Sequence, residues 1–183
     1  MFKVSIFLAL CLTLAVSKVF PPPVVEQYHQ GELQLENVCS FYHFPSGDDL
    51  IEGRYYFDKV VKRLNKNKEC SRQLVFNEKM HVPLKVSAKK EMKKEAYGIE
   101  INSDGVSIEY GGYSGYIYAL ESLSQIIEHG KLPYVSIRDG PVVEIRGIMI
   151  DTARHFLPMR LLYETIDAMM YNKLSVLHWH IVD

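Results

Sequence analysis

Residues 142–183 read VVEIRGIMIDTARHFLPMRLLYETIDAMMYNKLSVLHWHIVD. Val142–Ile150 is a nearly continuous apolar run, the pattern of a strand buried on both faces. Pro158 stands where a helix can begin, and Leu162, Ile166, Met169 and Met170 fall on one helical face. Asn172-Lys173 ends that helix, and Leu174–Val182 predicts a second buried strand. Strand, helix and strand in about 40 residues form a βαβ unit, so the two strands should run parallel. Such a unit cannot bury its own faces, so the chain is expected to be the N-terminal part of something longer.

Polar residues gather just after each strand. Asp151, Arg154 and His155 follow the first, and His178, Trp179, His180 and Asp183 close the second. In parallel α/β folds the loops at the carboxyl ends of strands build the active site. Strand parity adds a condition. If Asp183 points inward, His178 and His180 should point outward and pack under the helices unless the strand bulges.

Upstream the pattern changes. Asp139-Gly140-Pro141 is a turn and the expected domain boundary, dividing residues 18–141 from 142–183. Before it, Tyr97, Ile99 and Ile101 alternate with polar or small residues, and Val106, Ile108 and Tyr110 alternate on a return strand. Asn102-Ser103-Asp104-Gly105 is the turn, with Asp-Gly as the hairpin signal. A helix is predicted over about 114–128, with Tyr116, Ala119, Leu120, Leu123 and Ile127 inward and Gly130 as its stop. Further short strands are expected at Gln73–Phe76, Leu84–Ala88, Tyr134–Ile137 and around Leu33 and Leu35. A charged helix is expected over 49–65. Strands with a helix on one face make a small α+β layer.

The first 17 residues stand apart. Val4–Val16 is an apolar run of 13, and Ala15 and Ser17 put small residues where a signal peptidase reads. This predicts a secretory leader cut after Ser17. The run is shorter than the ~20 residues that span a bilayer, and no other segment is long enough, so no membrane span is expected. Removal of the leader takes Cys11. Cys39 and Cys70, 31 residues apart, could then close a disulfide or remain two buried thiols.

Composition bounds the rest. The chain has 183 residues, 48% hydrophobic and 23% charged, with 21 basic against 22 acidic residues. That excludes a disordered tail, a coiled coil and a collagen-like chain. A net charge of -1 leaves no electrostatic footprint for nucleic acid.

The closing stretch resembles the opening of the catalytic barrel of glycoside hydrolase family 20, the β-N-acetylhexosaminidases. That family reads roughly R-G-x-x-x-D-x-[SA]-R-H-[FY], then N-K-[LM]-N-x-x-H-W-H-[LI]-x-D. Arg146 to Phe156 and Asn172 to Asp183 match nearly every fixed position. Ser175 departs, standing where the family usually has Asn. Residues 73–133 are also similar to the family's small non-catalytic domain, through Tyr97-Gly98-Ile99-Glu100-Ile101, the hairpin, and Gly115, Ala119, Leu120, Glu121, Ser122 and Leu123.

The resemblance implies an α+β N-terminal domain followed by the first β-α-β unit of a TIM (β/α)8 barrel. It implies hydrolysis of terminal β-linked N-acetylhexosamine from glycans, without a cofactor or metal, by substrate-assisted retaining chemistry. The family's adjacent Asp-Glu pair, which orients the substrate acetamido group and supplies the acid/base, lies beyond residue 183. On this chain the resemblance implies that Arg154 grips sugar hydroxyls. Asp183 would support the catalytic network behind a histidine, and Asp151 and His155 would stand behind the contacting groups. It also implies a lysosomal or secreted enzyme and leaves a homodimer of the full-length protein open. Alone, residues 18–183 are expected to turn over no substrate.

Two other readings compete. His178-x-His180 on one strand face could bind a metal in a barrel hydrolase of a different kind. A truncated, non-catalytic product that only binds glycans is the second.

Overall fold

A computed structural model of the chain describes residues 17–34, 59 and 84–183. The leader through Val16, Cys39 and Cys70, the strand at 73–76 and the helix at 49–65 (Lys59 apart) lie outside the described residues.

Five strands build the first sheet: β1 (Val25–Gln34), β2 (Leu84–Ala88), β3 (Tyr97–Asn102), β4 (Gly105–Tyr110) and β5 (Lys131–Asp139), in the order β1-β5-β3-β4-β2. Only β2 and β4 pair in parallel. Alternation decides the faces. Tyr97, Ile99 and Ile101 of β3 and Val106, Ile108 and Tyr110 of β4 are buried, and helix α1 (Tyr113–Ile126) covers them. Each such side chain contributes about 1.5–3 kcal/mol on burial. Glu100, Asn102 and Glu109 point to water. Helix α1 is buried nearly all round because it has this sheet on one side and helix α2 (Met159–Tyr171) on the other.

Both turns of this layer differ from the expected form. The β3–β4 loop is Ser103-Asp104, neither with positive φ, so it is not the primed turn that Asp-Gly foretells. Asn102 Oδ1 accepts the Asp104 N–H at 2.9 Å, and Gly105, at φ 127°, takes the backbone where a side chain would clash. Gly130 does not stop α1. The helix ends at Ile126 with Ile127 extended, and His129 (φ 51°) and Gly130 (φ 75°) form a two-residue turn into β5. Both β1 and β5 are longer than the alternation of a few apolar residues indicates, because they pair with each other along most of their length.

The second sheet is the pair β6 (Gly147–Asp151) and β7 (Val176–His180), parallel, with α2 between them in sequence. The βαβ unit is therefore present as read. Strand β6 begins five residues later than the apolar run. Arg146 turns its guanidinium back onto the carbonyls of Val143 (2.8 Å) and Glu144 (3.3 Å), which takes those acceptors out of any ladder. Of β6 only Ile150 is buried, not the whole strand, and Val142 is 91% exposed. On α2, Leu162, Met169 and Met170 are buried as expected, while Ile166 lies at the open edge of the groove against α1.

One residue joins the two layers. Helix α2 ends in a Schellman turn: Lys173 N–H bonds Met170 O (3.0 Å) and Leu174 N–H bonds Met169 O (2.8 Å). Lys173 occupies the left-handed position at φ 55°, where glycine is usual. Its side chain passes into the junction, 6% exposed, and Nζ donates to Tyr97 Oη (2.7 Å) and Asp139 Oδ2 (2.9 Å). Tyr97 also reaches Ser122 at 2.6 Å. Burial pulls the Lys173 ammonium below its ordinary range against the attraction of Asp139, and burial pushes the Tyr97 phenol up. Beside it Arg146 pairs with Glu95, which Tyr118 Oη also touches at 3.2 Å.

Removing Lys173 takes the cation from the half-buried Asp139 carboxylate and leaves it the Tyr97 hydroxyl and the Gly140 N–H. Lys173→Met is expected to lower the unfolding free energy by roughly 3–5 kcal/mol, and adding Asp139→Asn to return part of it. Urea unfolding of the four species measures the coupling. The Tyr116 hydroxyl is buried with no partner among the described residues. Tyr116→Phe should therefore leave stability unchanged or raise it by up to about 1 kcal/mol, whereas Tyr97→Phe should cost about 1–3 kcal/mol. A Tyr116→Phe loss as large as that at Tyr97 would contradict this.

Candidate active site

Parallel pairing sets Asp151, the last residue of β6, beside His180, the last of β7. The ladder runs one step further, with Thr152 N–H on His180 O at 2.9 Å. The chain then turns around the Asp151 carboxylate. Its Oδ1 accepts the N–H groups of Ala153 (3.0 Å) and Arg154 (3.1 Å), a local bond that a short acidic or amide side chain makes best. Its Oδ2 takes Arg154 Nη1 at 2.8 Å.

Arg154 thereby stands between two carboxylates. Its Nη2 reaches Asp183 Oδ1 at 3.2 Å, and its side chain is still 65% exposed. A guanidinium has five donors, so the fork keeps N–H groups open to a ligand after meeting both acids. His180 completes the cluster. Its Nε2 lies 3.0 Å from Asp183 Oδ1 and 2.9 Å from Val182 O, and Nδ1 lies 3.9 Å from Asp151 Oδ2. Both acceptor oxygens lie at Nε2, so that nitrogen is the ring's donor in this arrangement. The Arg154 N–H first, then the Arg154 charge, hold the Asp151 carboxyl below the usual carboxylate range, against some opposing desolvation.

The cluster brings together Asp151, Arg154 and Asp183. His155 is exposed on the same loop, outside the hydrogen bonds of the cluster. His180, which alternation puts under the helices if Asp183 points inward, stands in the cluster. The parity argument carried β7 through Val182, but the strand ends at His180 and Asp183 turns back toward its ring. Trp179 bonds Thr152 Oγ1 through Nε1 at 2.9 Å and so ties the second strand to the loop of the first. Periodicity carries no signal for that bond. Among the described residues no three His, Cys, Asp or Glu side chains are placed to share an ion, which leaves the His178–His180 metal reading without support.

A cleft of about 650 Å³ opens elsewhere, at the junction of the layers, lined by Pro21–Pro23 and by Glu95, Asp139, Arg146 and Lys173. Those charged groups already pair with one another, so the cleft offers a ligand no comparable free fork.

The family profile for glycosyl hydrolase family 20, domain 2, matches residues 17–140, and that for the family's catalytic domain matches residues 144–183. The chain belongs to glycoside hydrolase family 20. Its Arg154 cluster lies in the part matched to the catalytic domain. The mouse β-hexosaminidase subunit beta is 38% identical over 94 residues, which are 49% of this chain and 18% of that protein. β-N-Acetylhexosaminidase from Bacteroides fragilis superposes with a TM-score of 0.66 at 26% identity, covering 88% of this chain and 32% of that one. An exo β-N-acetylglucosaminidase from Vibrio harveyi, solved with N-acetylglucosamine, shares the fold with a TM-score of 0.74 at 20% identity, over 91% of this chain and 26% of the other. The chain thus spans under a third of the length of each.

The geometry around Asp151 fixes a titration. Its carboxyl should titrate below the ordinary 3.8. A depressed carboxyl stabilises the folded loop fully above its unfolded value and loses that contribution as pH falls through the folded one. Arg154→Ala removes the guanidinium but keeps the backbone N–H, so the titration should move only part of the way back. Side-chain carboxyl NMR reads both, and a full return to the ordinary value would show that the backbone bond counts for little.

Proposed function

We propose that the whole protein is a β-N-acetylhexosaminidase that releases terminal non-reducing N-acetylhexosamine from β-linked glycans. The observation that carries this is the Arg154 fork, anchored by Asp151 and Asp183 and left open at the carboxyl ends of two parallel strands. In this reading residues 18–141 form the non-catalytic domain and 142–183 open the barrel.

Each residue has a physical task. Arg154 grips adjacent hydroxyls of the terminal sugar, since a planar fork meets two oxygens at a set spacing and stays charged in acid. Asp151 holds that fork in place. His180 and Asp183 form a polar unit beside it. The Asp183 carboxylate biases the protonation of a network histidine, and through it the acid/base glutamate supplied further along the chain. The reaction is substrate-assisted: the 2-acetamido oxygen attacks the anomeric carbon and water later opens the oxazolinium. The leader sends the protein into the secretory pathway, to the lysosome or the exterior.

In the full-length protein, Arg154→Lys should raise KM and lower kcat on a chromogenic N-acetylglucosaminide. One ammonium cannot span both carboxylates and the sugar, and loss of a charged hydrogen bond of roughly 1.5–3 kcal/mol corresponds to about 10–100-fold in kcat/KM. Asp183→Asn should lower kcat and distort the acid limb of the pH–rate profile. Wild-type kinetics in the Lys variant would overturn the sugar-binding role, and an unchanged profile in the Asn variant would make Asp183 structural.

A further inference from the structure

The segment just after the expected leader is held in a way that neither the active site nor the layer junction explains. Val19 is 0% exposed in the α+β core, between exposed Lys18 and Phe20. Gln125 of α1 clamps the position from both sides: its Oε1 accepts the Phe20 N–H at 2.5 Å and its Nε2 donates to Phe20 O at 3.0 Å. The Lys18 backbone N–H reaches Glu26 Oε1 at 3.3 Å, an oxygen that also accepts the Tyr28 hydroxyl at 2.6 Å. Lys18 Nζ pairs with Glu128 at 3.2 Å and lies 5.9 Å from the Tyr28 ring centroid.

We propose that Glu26 is the receptor for the α-ammonium that removal of the leader after Ser17 creates at Lys18, so that processing fastens Val19 into the core. The inference rests on the leader reading and is independent of the glycosidase reading. Hydrolysis of the Ser17–Lys18 peptide bond by a signal peptidase adds the hydroxyl of water to the Ser17 carbonyl carbon and its hydrogen to the Lys18 nitrogen. The amine then takes one proton from solvent. A neutral amide beside Glu26 becomes a cation in the same place, and a charge-assisted bond is stronger than a neutral one.

Two observations favour this partner. Before cleavage, Glu128 takes the charge of Lys18 Nζ, while Glu26 meets the neutral Lys18 N–H and the Tyr28 hydroxyl. The neighbouring Lys131 is already paired with Glu32 at 2.6 Å, so cleavage supplies the second cation. Cleavage also removes Ser17, whose hydroxyl accepts the Val19 N–H (3.2 Å) and donates to Val19 O (2.8 Å). The anchor lost on one side of Lys18 is replaced by the ion pair on the other. His129 and Tyr28 are the other titratable groups at this surface, and from the layer junction Lys173 and Tyr97 also feel the Glu26 charge.

The full coding sequence is expressed in secreting eukaryotic cells and the product's N-terminus is read by sequencing and intact mass. Reductive methylation with labelled formaldehyde then resolves the α-amine from the lysine ε-amines by NMR. The N-terminus should be Lys18, and its α-amine should titrate about one unit above the ordinary ~7.7–8.0. An amine raised by its partner stabilises the fold fully below the unfolded pKa and loses that contribution as pH rises through the folded one. Glu26→Gln should return the titration to the ordinary range and speed exchange of the Val19 amide severalfold, and Glu26→Asp should retain much of the shift. An N-terminus other than Lys18, or an ordinary pKa, overturns the proposal, and so does a raised pKa that is indifferent to Glu26→Gln. The wild-type titration decides alone if neither variant is secreted.

Discussion

Lys173 bears a constraint on which both layers depend. It sits in a left-handed backbone position that costs a non-glycine residue roughly 1–2 kcal/mol. Only there does the chain leave α2 in the direction that sends its ammonium between Tyr97 and Asp139. The same residue ends the helix and starts the approach to β7. Its carbonyl accepts Arg146 Nε at 3.0 Å, and the Arg146 carbonyl accepts the N–H groups of Ser175 and Val176. The buried pair thus fixes where α2 stops and where β6 and β7 begin to pair. A buried ion pair is weak evidence of net stability, but it is directional, and an apolar contact would not set that register.

At the far end of the same strands the electrostatics are reversed in character. The junction closes its charges on one another in a buried space, whereas the Arg154 cluster leaves its cation open to solvent. One guanidinium serves two carboxylates and retains donors. The structural ion pair and the candidate binding group are separated by the length of a short strand. Parallel pairing keeps the second where the first has set it.

Much of this was legible in the sequence. A strand within 142–150, the stripe on α2 and the gathering of Asp151 and Arg154 at the strand's end follow from period and from strand-end position. Boundaries and contacts between distant residues did not follow. Arg146 reads as one charge in an apolar run, and nothing local says that it will bend back and delay the strand. Gly130 looks like a helix stop because glycine suits either a cap or a turn, and here β5 claims it. Lys173 reads as a helix-ending residue, while its partners lie 34 and 76 positions away. The side on which His180 falls did not follow either, because alternation holds only while the strand lasts, and β7 ends two residues sooner than its apolar content indicates.

Trp179 is the only tryptophan in the chain. It is 41% exposed, hydrogen-bonded to Thr152, and adjacent in sequence to His180. An indole so placed responds to polarity and to nearby quenching groups. No second indole in these 183 residues adds a background. Excited at the red edge, where the twelve tyrosines hardly absorb, the fluorescence of this chain therefore comes from one corner of the molecule, the corner that holds Arg154, and is nearly blind to the five-stranded layer. The protein carries its own optical reporter of the site.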